Sequence, residues 1–388
     1  MECKKIGEIA TLSQGIQVPI EKQSTINNSD SVRFLRIIDY TQNKDEVRYI
    51  DNPGEKYLVD DTDVVMIRYG DAGKVVRGYK GAIANNLFKI SIPENLVIKE
   101  YLYYYLSQKC IYERLVNNQQ KTGLPAVNFK TVNDIEISFP KNLETQKKIV
   151  EVLDKAQELI DKRKEQIEEL DELVKSRFIE MFGDKNKFQY IKIEDLVKNK
   201  SDIVDGPFGS NLKTVDYVDS GVRVIQINNI GECEFRDKNK KYVTEDKFNS
   251  LIKHSVIPGD IVVAKMGEPI GRACILPSNI EKAIIVADCM KIRPNTDIVN
   301  TKYLEFLLNS EEVKSQFKKY SQGSTRVRLN LTMLRQVKVL YPDIKLQNQF
   351  ADFANKVDKL KFQMETSLKE LEDNFNYLMQ KAFKGELF

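Results

Sequence analysis

Few residues in this 388-residue chain could make or break bonds by side-chain type. Its single histidine, His254, stands in Lys253-His254-Ser255 with no nucleophile signature around it, and reads as a surface or loop histidine. A Ser-His-Asp or Cys-His site would rest on that residue alone, and a His-rich metal site is excluded. Five cysteines, at positions 3, 110, 233, 274 and 289, include no Cys-x-x-Cys pair, which argues against a disulfide framework and a zinc ribbon. Binding chemistry remains. Gly70-Asp71-Ala72-Gly73-Lys74 and Gly267-Glu268-Pro269-Ile270-Gly271-Arg272 each follow a β-branched run and deliver a basic residue just past a glycine. Neither carries Gly-x-x-x-x-Gly-Lys-Ser/Thr, so nucleotide binding is disfavoured. A turn laid against a nucleic-acid backbone explains the placement, and so does an ordinary hairpin; both readings stay open.

Two further motifs point to enzymes and fall short. Asp205-Gly206-Pro207-Phe208 superficially matches the Asp-Pro-Pro-Tyr/Phe loop that presents acceptors to an exocyclic amine in amino-methyltransferases. Gly206 replaces the first proline, and no glycine-rich strand-turn-helix for a methyl donor precedes it. A tight turn presenting Ser210, Asn211 and Lys213 is the better reading. Pro342-Asp343-Ile344-Lys345 mimics part of a nuclease site but lacks the second acid, and fits a helix cap instead. Charge is more informative. From Val313 to Pro342 there are seven basic residues (Lys314, Lys318, Lys319, Arg326, Arg328, Arg335, Lys338) and no acid. The corresponding stretch Arg114–Asn133 has Arg114, Lys121 and Lys130, again without an acid. Each contains a loop of small polar residues, Lys121-Thr-Gly-Leu-Pro and Ser321-Gln-Gly-Ser-Thr-Arg-Val-Arg328. Flexible backbone with Arg, Asn, Gln and Ser suits phosphate and base-edge contacts. A solvated basic loop would explain one such stretch; recurrence in both halves favours nucleic acid.

That recurrence belongs to a repeat of the whole chain. Asp63-Val-Val-Met-Ile-Arg-Tyr-Gly70 aligns with Asp260-Ile-Val-Val-Ala-Lys-Met-Gly267 at an offset of 197. Lys89-Ile90, Tyr101-Leu102, Asn128-Phe129 and Phe139-Pro140 align with Lys291-Ile292, Tyr303-Leu304, Asn330-Leu331 and Tyr341-Pro342 at 202. The chain is therefore two copies of one unit, a globular part followed by a helix. β-Branched runs predict strands at 34–38, 64–67, 88–92, 222–227, 260–264 and 284–287, and one aromatic-rich helix per copy at 99–115 and 301–317. Strands and helices do not alternate regularly, which disfavours a doubly wound parallel sheet.

The helical part has a longer period. Ile149, Leu153, Ala156, Ile160, Ile167, Leu170, Val174 and Met181 step by four and three, with Arg163 and Arg177 in the gaps. The second copy reads Phe350, Ala354, Val357, Lys361, Met364, Leu368, Leu371, Phe375, Leu378 and Ala382, offset by 201. A seam repeating every 3.5 residues predicts a coiled coil. Asn142 and Asp343 stand as N-caps, and Gly183 and Gly385 as stops. The simplest pairing is of the two helices with each other, antiparallel about a pseudo-two-fold axis, as a spacer of about 50 Å; the alternative packs each helix on its own globular part. Residues 144–180 carry eleven acids against eight bases, which suits protein partners better than phosphates.

Composition agrees. The formal charge is only +3, and 41% of residues are hydrophobic, an ordinary soluble balance. Length allows two to four domains of roughly 100–200 residues. No apolar run approaches the ~20 residues of a membrane span, and the N-terminus carries no signal-peptide pattern, so a cytoplasmic protein is expected.

The organisation resembles the specificity (S) subunit of type I restriction–modification systems, over nearly the whole chain. The resemblance rests on the two-copy plan, on Gln146-Lys147-Lys148-Ile149-Val150 opening the first long helix, on Asp205-Gly-Pro-Phe-Gly-Ser-Asn-Leu-Lys213, on Pro258-Gly259-Asp260-Ile261 and on Lys381-Ala-Phe-Lys-Gly-Glu-Leu387. Two departures stand out: the first copy has Ser13-Gln14-Gly15-Ile16 where the second has Asp-Gly-Pro-Phe, and the second helix opens Gln347-Asn348-Gln349 without lysines. The resemblance implies an α+β fold. Two mixed α/β target-recognition domains (1–142 and 184–343) alternate with two conserved long helices (143–183 and 344–388) paired as an antiparallel coiled coil. It implies a non-catalytic DNA-binding subunit that reads double-stranded DNA at a bipartite target. Two methyltransferase (M) subunits and restriction (R) subunits would be its partners. S-adenosylmethionine, ATP and Mg would sit on those partners, with no cofactor in this chain and no membrane. The dissimilar copies make the target asymmetric, its halves about one helical turn of DNA apart or slightly more. Recognition residues are expected at Gln14, Arg68, Lys74, Arg77, Lys121 and Asn128 in the first copy, and at Ser210, Asn211, Lys213, Lys265, Arg272, Arg326, Arg328 and Asn330 in the second. The rival readings are a self-sufficient DNA enzyme, against which the missing motifs speak, and a coiled-coil adaptor that ignores DNA.

Overall fold

The computed structural model describes residues 1–42, 46–117, 126–320 and 328–388. They form two compact units, Met1–Ile167 with Met364–Phe388, and Glu168–Gln363. The same ten strands build each unit in the same order.

In unit 1 they are β1 (Glu2–Lys5), β2 (Thr11–Gln14), β3 (Ser31–Leu35), β4 (Arg48–Asp51), β5 (Leu58–Val59), β6 (Val64–Ile67), β7 (Val75–Val76), β8 (Gly81–Ile83), β9 (Leu87–Ser91) and β10 (Glu136–Phe139). In unit 2 they are β11 (Gln189–Lys192), β12 (Ile203–Asp205), β13 (Val222–Ile225), β14 (Lys241–Val243), β15 (Ser255–Val256), β16 (Ile261–Ala264), β17 (Ala273–Ile275), β18 (Ala283–Ile285), β19 (Cys289–Ile292) and β20 (Lys338–Tyr341). Unit 1 pairs them as β2-β9-β6-β7, β4-β3-β8-β5 and β1-β10; unit 2 as β12-β19-β16-β17, β14-β13-β18-β15 and β11-β20. In each unit the third and eighth strands pair in parallel, Phe34 opposite Ala82 and Val224 opposite Ile284.

Central strands read as unbroken apolar runs because both their faces are covered. In β6, Val64 and Met66 pack with the aromatic helix residues Tyr101 and Leu102, while Val65 and Ile67 face Leu35 and Ile83 of the second sheet. The order through the unit is helix, sheet, sheet.

Each predicted aromatic helix is two helices, Lys99–Leu106 with Lys109–Asn117, and Thr301–Leu308 with Glu311–Tyr320. The break in the second copy has a side-chain cause. Asn309 accepts from the Ala273 backbone N–H (3.1 Å) and donates to its carbonyl (2.9 Å), so it pairs like a strand residue. Strand ends also retract: Ile37–Thr41 is helical, and 286–287 lie beyond β18.

The long helices span Leu143–Phe182 and Ile344–Lys384. Asn142 accepts from Glu144 N–H and Asp343 from Lys345 N–H, as N-caps do. Each unit combines its globular part with the opening of one long helix and the end of the other. In unit 1, Ile149, Val150 and Leu153 share a core with Met379, Ala382 and Phe383, and Lys164 pairs with Glu372 at 3.1 Å. In unit 2, Phe178 lies 5.4 Å from Phe350, and Lys361 holds Asp171 at 2.7 Å. Within each unit the two segments therefore run antiparallel. Packing of each helix on its own globular part alone is ruled out.

Two buried glutamines join these layers. Gln146 accepts from Ile98 N–H (3.0 Å) and donates to the carbonyls of Leu96 (2.9 Å) and Pro140 (2.8 Å). Gln347 does the same with Asn300 N–H (2.9 Å) and the carbonyls of Ile298 (3.4 Å) and Pro342 (2.9 Å).

Candidate nucleic-acid interface

Four chain segments meet at one edge of each unit, held by matching backbone bonds. In unit 1, Gly15 N–H donates to Leu87 (3.0 Å), Arg68 N–H to Asn86 (2.8 Å) and Val127 N–H to Arg68 (3.0 Å). In unit 2, Gly206 N–H donates to Cys289 (2.9 Å), Lys265 N–H to Asp288 (2.9 Å) and Leu329 N–H to Lys265 (2.8 Å). Gln14 thus corresponds to Asp205, Arg68 to Lys265, Asn86 to Asp288 and Ala126 to Arg328. Glycine is required at the crossing, because a Cβ on Gly15 would overlap the carbonyls of Ile83 and Ala84, and one on Gly206 that of Val286. The framework is common to both units, and the side chains on it differ.

In unit 1, Gln14 donates to the Asn85 carbonyl at 2.9 Å and is half-buried. Arg68 is half-buried, its guanidinium 5.0 Å from the Tyr69 ring. Lys74 is exposed and pairs with Asp71 at 3.1 Å. In unit 2, Ser210, Asn211 and Lys213 are all exposed. Asn211 N–H closes a turn on Phe208 O (2.8 Å), and Lys213 N–H donates to the Asp216 carboxylate (2.7 Å). That backbone bond, then the Lys247 ammonium, hold the Asp216 carboxyl below its usual range. Arg328 pairs with Asp288 (2.7 Å), donates to Ala287 O (3.2 Å) and remains partly exposed. Lys121 and Arg326 lie outside the described residues.

Five expected recognition residues also have work within the fold. Lys265 is 7% exposed and its ammonium is spent on Asp205 at 2.8 Å. Arg272 folds back on its own glycine turn, donating to the carbonyls of Ile230 (3.2 Å), Glu268 (2.9 Å) and Pro269 (3.4 Å). Arg77 stacks 4.4 Å over Tyr103 and pairs with Asp154 of the long helix at 3.3 Å. Asn128 and Asn330 are N-caps of Phe129–Asn133 and Leu331–Gln336, accepting from Thr131 and Met333 N–H. An Asn just before a short apolar run is an N-cap signature that could have been read from sequence.

The glycine turns are likewise explained from within. Gly73 and Gly271 have φ of +92° and +80°, and a helix side chain covers each, Leu115 and Phe317 respectively. His254 Nδ1 sits 2.6 Å from the Asp205 carbonyl, so the loop histidine braces the same edge. Among the described residues, no group of three or more His, Cys, Asp or Glu side chains could hold a metal ion. Nor is any helix long and apolar enough to cross a membrane.

Sequence reasoning named Phe208 within the Asp205-Gly-Pro-Phe motif but not among the recognition residues. It is 83% exposed at the tip of the Asp205-Gly-Pro-Phe-Gly-Ser-Asn turn, beside Ser210 and Asn211. The available signal was an aromatic between glycines, outside every apolar period.

The chain matches the model for the type I restriction modification DNA specificity domain twice, over residues 1–172 and 179–373. It is 25% identical to the type I restriction enzyme MjaVIII specificity subunit of Methanocaldococcus jannaschii, over 81% of this chain and 76% of that one. It is 24% identical to the MjaX specificity subunit of the same organism, described there as putative, over 43% of this chain and 40% of the relative. Among solved structures, the type I restriction–modification S subunit from M. genitalium has a TM-score of 0.56 at 15% identity, covering 98% of this chain and 96% of that one. A chain from work on complex assembly and conformational transition of the type I R-M system has a TM-score of 0.60 at 14% identity, covering 100% and 98%. At those identities the likeness is one of fold.

Proposed function

The chain belongs to the type I restriction–modification DNA specificity family, and from that membership we propose that its two units read the two halves of an asymmetric double-stranded DNA target. One observation carries the reading: the two edges share a hydrogen-bonded framework yet differ in the side chains they present. Gln14, Arg68 and Lys74 stand in one unit, and Ser210, Asn211, Lys213 and Arg328 in the other. A common scaffold with divergent contact residues suits two different sequences read in the same way.

The chain supplies the address, and partners supply the chemistry. Two M subunits bind S-adenosylmethionine and methylate adenine, flipping the base into their own pockets. An R subunit, where present, uses ATP and Mg. The net charge of +3 gives weak DNA affinity to the chain alone, reinforced by the assembled complex.

The test is N6-methyladenine mapping across the host genome by single-molecule sequencing, with and without this chain. Loss of one asymmetric, gapped motif on deletion supports the reading. An unchanged methylome, in a strain where the M subunit is expressed, counts against it. The adaptor alternative predicts that an assembled complex has no DNA affinity at moderate salt.

A further inference from the structure

We infer that Phe208 is a base-contacting wedge, its ring stacking on one base step of the half-site read by unit 2; this rests on the DNA reading above. The ring is 83% exposed. Its loop is fixed on both sides: Asp205 by Lys265 (2.8 Å) and by His254 on its carbonyl, Gly206 by Cys289 O (2.9 Å), and the tip by Asn211 N–H on Phe208 O (2.8 Å). An aromatic ring left 83% exposed on a braced turn is organised for an outside surface. Ser210, Asn211 and Lys213 follow it on the same loop as exposed donors, and Arg328 emerges on the same edge through Asp288 and Ala287. Donors and a basic group around an apolar wedge suit bases and phosphates, since inserted rings unstack a step while cations hold the backbone.

The repeat favours DNA over a protein partner. Counting from the equivalent glycines Gly15 and Gly206, the counterpart of Phe208 is Gln17, which accepts from the Asn85 amide at 3.3 Å. By contrast, both units expose an aliphatic residue on the 3-10 turn that follows: Ile20 in Ile20–Lys22 and Val215 in Thr214–Asp216. Two identical subunits would use a feature that both units possess. A ligand with unlike halves would use one that only a single unit has.

The experiment uses the complex assembled with its M subunits and duplexes carrying the mapped target, with 2-aminopurine placed in turn at each adenine of both half-sites. Outside the target adenines, which the M subunits flip, wild type is expected to raise 2-aminopurine fluorescence at one position in the unit 2 half. Phe208→Ala abolishes that signal and weakens binding about tenfold or more, the scale of one lost aromatic–base stack. Phe208→Tyr keeps both, and the unit 1 half is unaffected. Unchanged affinity and fluorescence in Phe208→Ala overturns the inference. So does weakened assembly with the M subunits at unchanged DNA affinity, which makes the ring a protein contact. A wild-type complex that does not prefer its duplex appears before any substitution, and overturns the DNA reading together with the wedge.

Discussion

At the residue scale, most basic side chains near the candidate edges are already committed to the fold. Lys265 and Arg68 occupy the same register place, yet Lys265 is buried on Asp205 while Arg68 lies half-buried against Tyr69. Sequence shows the register but not the partner 60 residues away, and the partner decides which way a lysine turns. In unit 2, Arg328 keeps both an anchor and exposure, through Asp288 at 2.7 Å. Arg328→Ala is therefore expected to alter or weaken one half of the target only, with a cost of about 1–3 kcal/mol if it reads a base edge. Methylome mapping of the variant checks this; equal loss at both halves counts against independent units. The caps Asn128 and Asn330 give the contrasting expectation, lower stability with target sequence unchanged.

At the element scale, the repeat was legible because hydrogen-bond registers need constant spacing. The offsets of 197 and 202 are those at which Arg68 matches Lys265 and Asn86 matches Asp288. The coiled-coil seam was legible for the same reason, since Ile149, Leu153 and Ile160 must all face one way and all are buried. The splitting of the second aromatic helix was not legible, because Asn309 spends its amide there on Ala273, 36 residues away, a contact that local pattern does not encode. Two predictions belong here. Gln146→Leu leaves Ile98 N–H and two carbonyls without partners, and should cost about 1–3 kcal/mol; Gln347→Leu should cost as much in unit 2. Denaturant unfolding of both variants tests the equivalence. Gly73→Ala should lose about 1–2 kcal/mol for its left-handed backbone. Gly271→Ala should lose more, because its Cβ would lie 2.5 Å from the Phe317 ring, where Gly73 has 3.3 Å to Leu115. Melting temperatures that rank the two the other way would contradict the close packing at Phe317.

At the scale of the whole molecule, each unit draws on both long helices: unit 1 joins two stretches of chain, and unit 2, though continuous, includes the end of one long helix and the opening of the other. Unit 1 takes Phe383 from the end of the second long helix, 5.2 Å from Tyr101 and 5.0 Å from Tyr105. Unit 2 takes Phe182 from the end of the first, 5.0 Å from Tyr303. Exchange of a globular part must therefore preserve these aromatic seats while it changes the candidate nucleic-acid edge. Residues 184–343 meet that condition. The segment starts just past Gly183, whose N–H closes the first helix on Ile179 O at 2.7 Å. It ends at the N-cap Asp343, beside the Pro342 carbonyl held by Gln347. Its inner face needs Tyr303 and Phe306 to receive Phe178 and Phe350, at 4.8–6.2 Å between ring centres. A donor segment from a family member with a different target and aromatics at those two positions should fold on the recipient helices. The chimaera is expected to methylate a hybrid motif: the recipient's unit 1 half, the donor's unit 2 half, and the recipient's gap, since both long helices are the recipient's own. Mapping N6-methyladenine in cells expressing it reads all three features together. A changed gap would assign the spacing to the globular parts rather than the helices, and a changed unit 1 half would mean that the two units do not read DNA independently.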